Sequence, residues 1–535
     1  MFRFQADRKC GGKAKIMSTR HIYLYGPPGS GKSRIGFQLA EQLSRPFVDI
    51  DLEIEKHIDT SISDFFRQKG ETAFRNIELE LLGRISSNPK GQVIALGGGA
   101  LLGQENQKIV LQTGEVVCLM ADFETLLKHI ESESEKRPLL QGNLPERLNE
   151  LLKERASHYQ QFPTLYVDGL SEDQIVNNIQ IHLGQFFISG MGSGYPVNVQ
   201  KGLINQAGDY FQQMGLKGPV AIVTDQNVGR YYLNSTKESL NRAGYQVTEV
   251  IVPAGEQHKT IHTVMQLWDN FLEAGLERGS TVLALGGGVL TDMAGFAAST
   301  FLRGVAWVAC PTSLLGMVDA SLGGKTGVDL AQGKNLVGSF YPPKMVLTDP
   351  GCLASLPIVE LRNGMAEVLK HGIISSPEIV KSCLSKNWKE DLVNLIPFAM
   401  SSKIQVLRQD PYEKGRRAVL NLGHTIGHAI ELVSDFKMRH GEAIGLGMLL
   451  EARISYETGL CDSSLPETIK HALLNIHLPF VLPETLAIDA ILAVMQRDKK
   501  RADGKVKFAL PHQIGEVSFG NEVSLELVRE ILESS

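Results

Sequence analysis

The chain has 535 residues, with 54 Lys+Arg against 59 Asp+Glu and a formal net charge of −5. That balance excludes nucleic-acid binding as the main task, because a surface that tracks phosphates needs excess basic charge. Gly (53) and Pro (22) follow no period, which excludes collagen-like and other fibrous classes, and 43% apolar residues can fill substantial cores.

At roughly 100–200 residues per domain the length allows three to five domains, or two or three larger ones. Six cysteines (Cys10, Cys118, Cys310, Cys352, Cys383 and Cys461) lack CxxC spacing and read as reduced thiols of a cytosolic protein. The uncharged apolar stretch at 304–318 contains Pro311 and falls short of the about 20 residues a bilayer span needs, so no membrane association is expected. The N-terminus is mildly basic without an apolar h-region; residues 1–16 read as a flexible leader, with Met17 as an alternative start.

In chain order, the pattern predicts a strand over 21–25, the loop GPPGSGKS, a helix over 32–43 and a strand over 45–50. Helical periodicity at 61–66 and 73–86 precedes VIALGGG (93–99), a continuous apolar run that reads as a strand buried on both faces. Short strands are predicted at 116–120 and 165–167. Strands alternating with helices predict a parallel α/β sheet over a first module of residues 17–184. Gly- and Ser-dense 185–194 reads as a linker. Further strands are predicted at 197–199, 220–224, 246–252, 281–285 and 306–309. An α/β half is thus expected over 195–355, and a mostly helical half over 356–535 with a strand-like 505–510. VIALGGGALL (93–102) and VLALGGGVLT (282–291) look alike, but their flanks diverge. They read as two separate strands, each ending in a Gly triplet where backbone can approach a ligand at the carboxyl edge of a sheet.

Residues 26–33 satisfy GxxxxGK[ST] between a strand and a helix, the context in which loop amides and a helix N-terminus cradle phosphate. Lys32 is expected at the β/γ-phosphates and Ser33 on Mg2+. Asp49 and Asp51 form a DxD; one suits the surroundings of the metal and the other the hydroxyls of a substrate. Arg75, the triplet Gly97, Gly98 and Gly99, Arg137 and Arg155 suit an anionic acceptor held bidentately.

Residues 17–184 resemble shikimate kinase in the phosphate loop, FVDIDLEIE, FFRQKGETAFRNIE, ALGGGA, RPLL and ERASHY. The resemblance implies ATP as co-substrate on Gly29, Ser30, Gly31, Lys32, Ser33, Arg34 and Arg137. It implies Mg2+ on Ser33 and Asp49, and shikimate on Asp51, Arg75, Gly97, Gly98, Gly99 and Arg155. Catalytic roles fall to Lys32, Asp51 and Arg137, the last in a lid over ATP. A related small-molecule kinase would explain the loop but not the acid-binding arginines.

Glu367, His424, His428 and His440 cluster in AEVLKHG, LNLGHTIGHA and RHGEA, and imidazole with carboxylate suits Zn2+ or a similar divalent ion. His424 and His428 share a face if their segment is helical. LALGGGVLTDMAGF (283–296) is a strand, a Gly triplet and a helix start, with Asp292 in the first turn. PAGEQHKT (253–260) and SLGGKTGVDLAQGKNLVGSF (321–340) read as polar loops bearing Lys325, Lys334 and Asn335. Lysines beside a metal and a dinucleotide point to an anionic, phosphorylated substrate.

Across 195–535 the chain resembles 3-dehydroquinate synthase in VDASLGGKTGVD, GKNLVGSFYPP, AEVLKHG, LNLGHTIGHA and HGEAIGLGM. The fold implied is α/β: a P-loop kinase domain with a parallel sheet, fused to a Rossmann-like α/β half plus a helical metal-binding half. The resemblance implies Zn2+ (or Co2+) on Glu367, His424 and His440. It places NAD+ on Asp225, Glu256, Lys259, Gly287, Gly288, Asp292, Thr312, Ser313, Lys325 and Lys334. It places 3-deoxy-arabino-heptulosonate 7-phosphate on Arg303, Asp319, Lys325, Asn335, Lys370, Lys403, Arg417, Asn421, His428 and Lys499, where Lys500 competes with Lys499. Lys325 and His428 are the expected catalytic groups, and a homodimer through this half is expected. A metal-dependent polyol dehydrogenase would share the Gly triplet, Asp292 and the histidines, but would not need Lys325, Lys334, Lys370, Lys403 and Arg417.

Overall fold

The computed structural model describes residues 20–132, 143–497 and 505–535, so the expected leader and the sites assigned to Arg137 and Lys499 lie outside the described residues. The chain divides into two compact units, Met1–Leu183 and Gly184–Ser535.

In the first unit β1 (His21–Tyr25), β2 (Phe47–Asp49), β3 (Val93–Ala95), β4 (Gly114–Met120) and β5 (Thr164–Tyr166) form one parallel sheet in the order β2-β3-β1-β4-β5. Helices α1 (Lys32–Leu43), α2 (Ile50–Ile58), α3 (Ile62–Ser86), α4 (Gln104–Thr113), α5 (Phe123–Ser132), α6 (Leu144–Tyr159) and α7 (Glu172–Leu183) accompany it. Every residue of β1 is buried, because the sheet is covered on both sides. Ile22 and Leu24 join a core with Ile35, Leu39 and Val176, while Tyr23 and Tyr25 join another with Ile50, Leu82 and Tyr159. The two helices expected at 61–66 and 73–86 belong to one longer element, α3, broken where Gly70 takes φ 76.

In the second unit β6 (Gln185–Ile188) runs antiparallel to β7 (Tyr195–Val199). Beyond β7 the sheet is parallel: β8 (Val220–Asp225), β9 (Val247–Val252), β10 (Thr281–Gly286), β11 (Ala306–Pro311) and β14 (Met345–Thr348), in the order β6-β7-β14-β11-β10-β8-β9. Residues 185–194 are therefore no linker. Their glycines turn the chain between two paired strands, with Gly190, Gly192 and Gly194 all at positive φ, and Arg408 donates to the Phe187 carbonyl. The polar stretch 321–340 is likewise ordered, as the hairpin β12 (Lys325–Leu330) and β13 (Gly333–Phe340). Helices α8 (Ala207–Gln213), α9 (Gln226–Arg242), α10 (Ile261–Glu273) and α11 (Gly288–Thr300) connect this half.

The remainder is helical: α12 (Ile358–Ser375), α13 (Pro377–Cys383), α14 (Trp388–Gln409), α15 (His424–Val433), α16 (His440–Glu457), α17 (Ser464–Asn475) and α18 (Ile488–Arg497), then a hairpin of β15 (Lys505–Gln513) and β16 (Glu516–Ser524), and α19 (Leu525–Glu533). Helices α15 and α16 pack backbone to backbone. A Cβ on Gly447 would lie 2.0 Å from the Gly423 carbonyl oxygen, and Gly423 itself sits at φ 81. Glu451, fully buried on α16, accepts the amide of Gly423 at 2.5 Å and so caps the start of α15, where His424 stands. Among the described residues no helix is long and apolar enough to cross a membrane.

Candidate active sites

In the first unit the phosphate loop follows β1. Gly29 and Gly31 occupy the left-handed region at φ 79 and φ 81, a conformation that glycine takes without strain. The Ser30 hydroxyl donates to Pro27 O at 2.9 Å, and Lys32 Nζ donates to Gly26 O (3.0 Å) and Pro27 O (2.8 Å), which holds the ammonium over the loop. Ser33 Oγ donates to Asp49 Oδ2 at 2.5 Å, while Asp49 Oδ1 caps α2 through the amides of Asp51 and Leu52. One oxygen from the first turn of α1 and one from the end of β2 thus meet beside the loop, the donor chemistry Mg2+ takes. Arg34 is held elsewhere: its exposed guanidinium pairs with Glu172 at 2.5 Å.

The triplet at 97–99 gathers the rest. A Cβ on Gly97 would lie 3.0 Å from Asp51 Oδ1, and one on Gly99 would lie 2.8 Å from Arg75 Nη2 and 3.2 Å from Arg155 Nη1. Arg155 also donates to Gly98 O, as does the Tyr159 hydroxyl. Sequence reasoning missed Glu78. Fully buried, it binds Arg75 at 2.8 Å and leaves its other oxygen without a hydrogen bond. Burial pushes its carboxyl up, against the pull of Arg75. The available signal was its position one helical turn after Arg75.

In the second unit the carboxyl ends of three neighbouring strands carry Asp225 (β8), Gly287 and Gly288 (after β10) and Thr312 and Ser313 (after β11). A Cβ on Gly287 would lie 3.3 Å from Ser313 Oγ, and one on Gly288 would lie 3.0 Å from the Ala320 methyl, so backbone is accessible there only because no side chain intrudes. Asp225 caps α9. Buried Lys259 reaches Asp292 at 2.7 Å and Asn335 Oδ1 at 2.5 Å, and Lys334 lies 4.0 Å from Glu256.

Glu367 and Lys370 face one way from α12 as an ion pair. His424 Nε2 and His440 Nε2 lie 3.6 and 3.4 Å from Glu367 Oε1, which is buried without a hydrogen bond. The ligand atoms of Glu367, His424 and His440 lie within 4.8 Å of one another. Burial would raise Glu367, but Lys370 outweighs it and keeps the carboxyl ionised; burial and the nearby Lys370 hold His424 well below its usual range, hence neutral. Burial works to lower His440, yet the nearby carboxylates of Glu367 and Glu431 prevail and push it up to about 9. One carboxylate and two imidazoles fit a borderline divalent ion. His428 is exposed, with its ring centroid 5.0 Å from that of His424 and 5.9 Å from that of His440.

Beside this triad Asp319 accepts from Lys403 at 2.7 Å and lies 3.8 Å from Lys370. Burial would raise Asp319, but the two ammonium groups hold it well below the usual carboxylate range. Buried Arg417 donates to Pro411 O and stands against Gly323, and Lys325 is bound to Glu413. Asn421 ends the short helix before α15 and is exposed. Arg303 lies beyond the C-terminal end of α11, whose first residue is Gly288. Glu431, His371 and Glu413 were not singled out from sequence, although HAIE places Glu431 one turn after His428.

Residues 28–183 match the family model of shikimate kinase, and residues 249–363 and 364–501 match those of the N- and C-terminal parts of 3-dehydroquinate synthase. A 3-dehydroquinate synthase from Synechocystis sp. is 42% identical over 349 residues, 64% of this chain and 97% of that protein. A structure of 2-deoxy-scyllo-inosose synthase complexed with carbaglucose-6-phosphate, NAD+ and Co2+ is 26% identical at a TM-score of 0.60, covering 66% of this chain and 100% of that one. A structure of 2-epi-5-epi-valiolone synthase from Streptomyces hygroscopicus subsp. jinggangensis 5008, with NAD+ and Zn2+ bound, is 29% identical at 0.58, covering 64% and 96%.

Proposed function

The chain belongs to the 3-dehydroquinate synthase family and carries a shikimate kinase domain ahead of it, and we propose that the two clusters described above are the working centres of these two activities. Both reactions belong to the route to chorismate and the aromatic amino acids.

Phosphoryl transfer asks mainly for positioning and charge neutralisation. Ser33 and Asp49 would hold Mg2+, the loop amides and Lys32 the ATP phosphates, and Arg75 and Arg155 the shikimate carboxylate. Asp51 would take the proton of the attacking hydroxyl. The observation that carries this reading is adjacency: a Cβ on Gly98 would lie 3.2 Å from both Gly26 O and Pro28 Cδ, so the acceptor's cradle abuts the donor's loop.

In the second unit Glu367, His424 and His440 would hold Zn2+ or Co2+, and the strand-end groups Asp225, Gly287, Gly288, Thr312 and Ser313, with Glu256, Lys259, Asp292 and Lys334, would hold NAD+. When bound, these groups supply reversible hydride transfer and polarisation of a substrate hydroxyl. Lys370, Lys403, Arg417, Lys325, Asn335 and Asn421 would bind the carboxylate and phosphate of 3-deoxy-arabino-heptulosonate 7-phosphate, and ionised Asp319 would accept from its hydroxyls. Exposed His428, at the edge of the triad, would carry a proton. The observation that carries this reading is a metal-type triad directly beside buried lysines. The test is to follow inorganic phosphate and NADH absorbance together: phosphate should appear with bulk NADH flat, and stoichiometric NADH without phosphate would mean a polyol dehydrogenase.

Arg303 supports a homodimer through this unit. The 13 residues of α11 separate it from Gly288 by about 20 Å at the helical rise per residue, and it precedes β11, whose opposite end carries Thr312 and Ser313, so a contact with substrate is read as one made in the site of a second copy. Mixing Arg303→Ala with His424→Ala protein should restore activity, because hybrid dimers regain one intact site; no recovery would contradict the shared site. The free thiols Cys118, Cys310, Cys352 and Cys383, all buried, fit a cytoplasmic setting.

A further inference from the structure

We propose that Glu431 is a positioning residue of the metal centre: it fixes the ring of His440 through Nδ1, and Lys334 in turn fixes Glu431. The inference rests on the reading of His440 as a metal ligand. His440 opens α16, where no preceding helical turn restrains its ring. Its Nε2 faces Glu367 Oε1 at 3.4 Å, and its Nδ1 lies 3.3 Å from Glu431 Oε2.

Glu431 is 5% exposed and stands on the face of α15 that carries His424 and His428. Its other oxygen accepts from Lys334 Nζ at 2.7 Å, and the Lys334 ammonium also sits 4.6 Å over the Phe436 ring. A carboxylate bound by an ammonium can only accept hydrogen bonds, so Glu431 keeps a ring proton of His440 on Nδ1, and Nε2, beside Glu367 Oε1, is the nitrogen left to give up its proton to a metal ion. The other imidazole is arranged in the same way. His424 Nδ1 lies 3.1 Å from Leu422 O, a pure acceptor, and its Nε2 also faces Glu367. Both rings are therefore held by their outer nitrogens with their inner nitrogens converging, and such outer-shell acceptors raise the basicity of the ligand as well as orienting it. The assignment gives Lys334 a structural task beyond the dinucleotide contact expected of it. It bridges a hairpin strand, β13, to the helix that supplies a metal ligand.

The test measures Zn2+ affinity of the full chain by competition with a chromogenic chelator, and the absorption bands of the Co2+ form. Glu431→Gln should weaken Zn2+ binding by about 10–100-fold and shift the Co2+ bands while the circular dichroism stays unchanged, and Glu431→Asp should recover part of the loss. Wild-type affinity and an unshifted spectrum in Glu431→Gln would overturn the proposal. His440→Ala is run alongside. Full metal content there would refute the ligand reading itself, whereas loss there with wild-type affinity in Glu431→Gln would refute only the role of Glu431. Should Glu431→Gln not fold, the unsubstituted Co2+ protein decides. Two hyperfine-shifted exchangeable ring N–H resonances, from His424 and His440, are expected, and the His424 resonance alone would contradict the bond to Glu431.

Discussion

Ser33 Oγ donates to Asp49 Oδ2 at 2.5 Å, joining the phosphate loop to the end of β2. One residue thereby serves two ends: Asp49 turns its other oxygen to the first amides of α2. Asp49→Ala should cost the unit about 1 kcal/mol through the lost cap and raise the Mg2+ concentration needed for half-maximal kinase rate. Ser33→Ala should raise the Mg2+ requirement without the thermal shift. Thermal unfolding and Mg2+ titrations separate the two effects. An unchanged Mg2+ requirement in both variants would remove them from the metal site.

Glu78 orients Arg75 against the Gly triplet. Glu78→Gln should raise KM for shikimate by roughly tenfold, the scale of one lost charge-assisted bond, with a smaller change in kcat. It should also alter the response to pH. Burial raises the folded-state pKa of Glu78, so its contribution to stability is fully present below the ordinary glutamate range and is lost as pH rises through the raised value. Relative to wild type, the Gln variant should therefore gain in Tm as pH rises above the ordinary glutamate range. A pH-independent difference would contradict the buried, proton-linked carboxyl.

Chelation should silence the synthase, and Zn2+ or Co2+ should restore it. His424→Ala should lose bound ion, since one imidazole and one carboxylate leave too few protein ligands. Metal content after desalting gives the answer, and full occupancy in His424→Ala would refute the triad.

The halves should separate between Leu183 and Gly184, each fragment folding alone. Removing residues 184–194 from the second fragment deletes β6 and leaves half-buried Arg408 without the Phe187 carbonyl. That should cost about 1.5–3 kcal/mol, the worth of a hydrogen bond to a charged group, read by denaturant unfolding of the two fragments. Equal stability would make β6 dispensable.

What could be read in the sequence follows how local the determinants are. Lys32, Ser33 and the strand before them lie within one turn of chain, so spacing alone places them. Glu367, His424 and His440 come from three helices, and they became legible as a set only through the resemblance of their flanking motifs. Glu78 and Glu431 carry no motif of their own. A glutamate on a helix reads as solvated, and only tertiary packing shows that these two are buried against Arg75 and Lys334. The glycines at 190, 192 and 194 suggested a linker because flexibility and tight turning draw on the same residue, and the β6–β7 pairing is decided by apolar Phe186 and Ile188 reaching the core. Arg303 is grouped with the substrate by resemblance alone, and its place at the far end of α11 from Gly288 becomes visible only with the length of that helix.

The central claim is that one chain carries two active centres built from separate residues. The most direct measurement takes full-length wild type, Lys32→Ala and His424→Ala and assays each preparation for both reactions: shikimate phosphorylation by ATP, and phosphate release from 3-deoxy-arabino-heptulosonate 7-phosphate with NAD+. Lys32→Ala should keep less than about a tenth of the kinase rate and all of the synthase rate, and His424→Ala should show the reverse. Kinase activity retained in Lys32→Ala, or both activities lost together in either folded variant, would contradict the account.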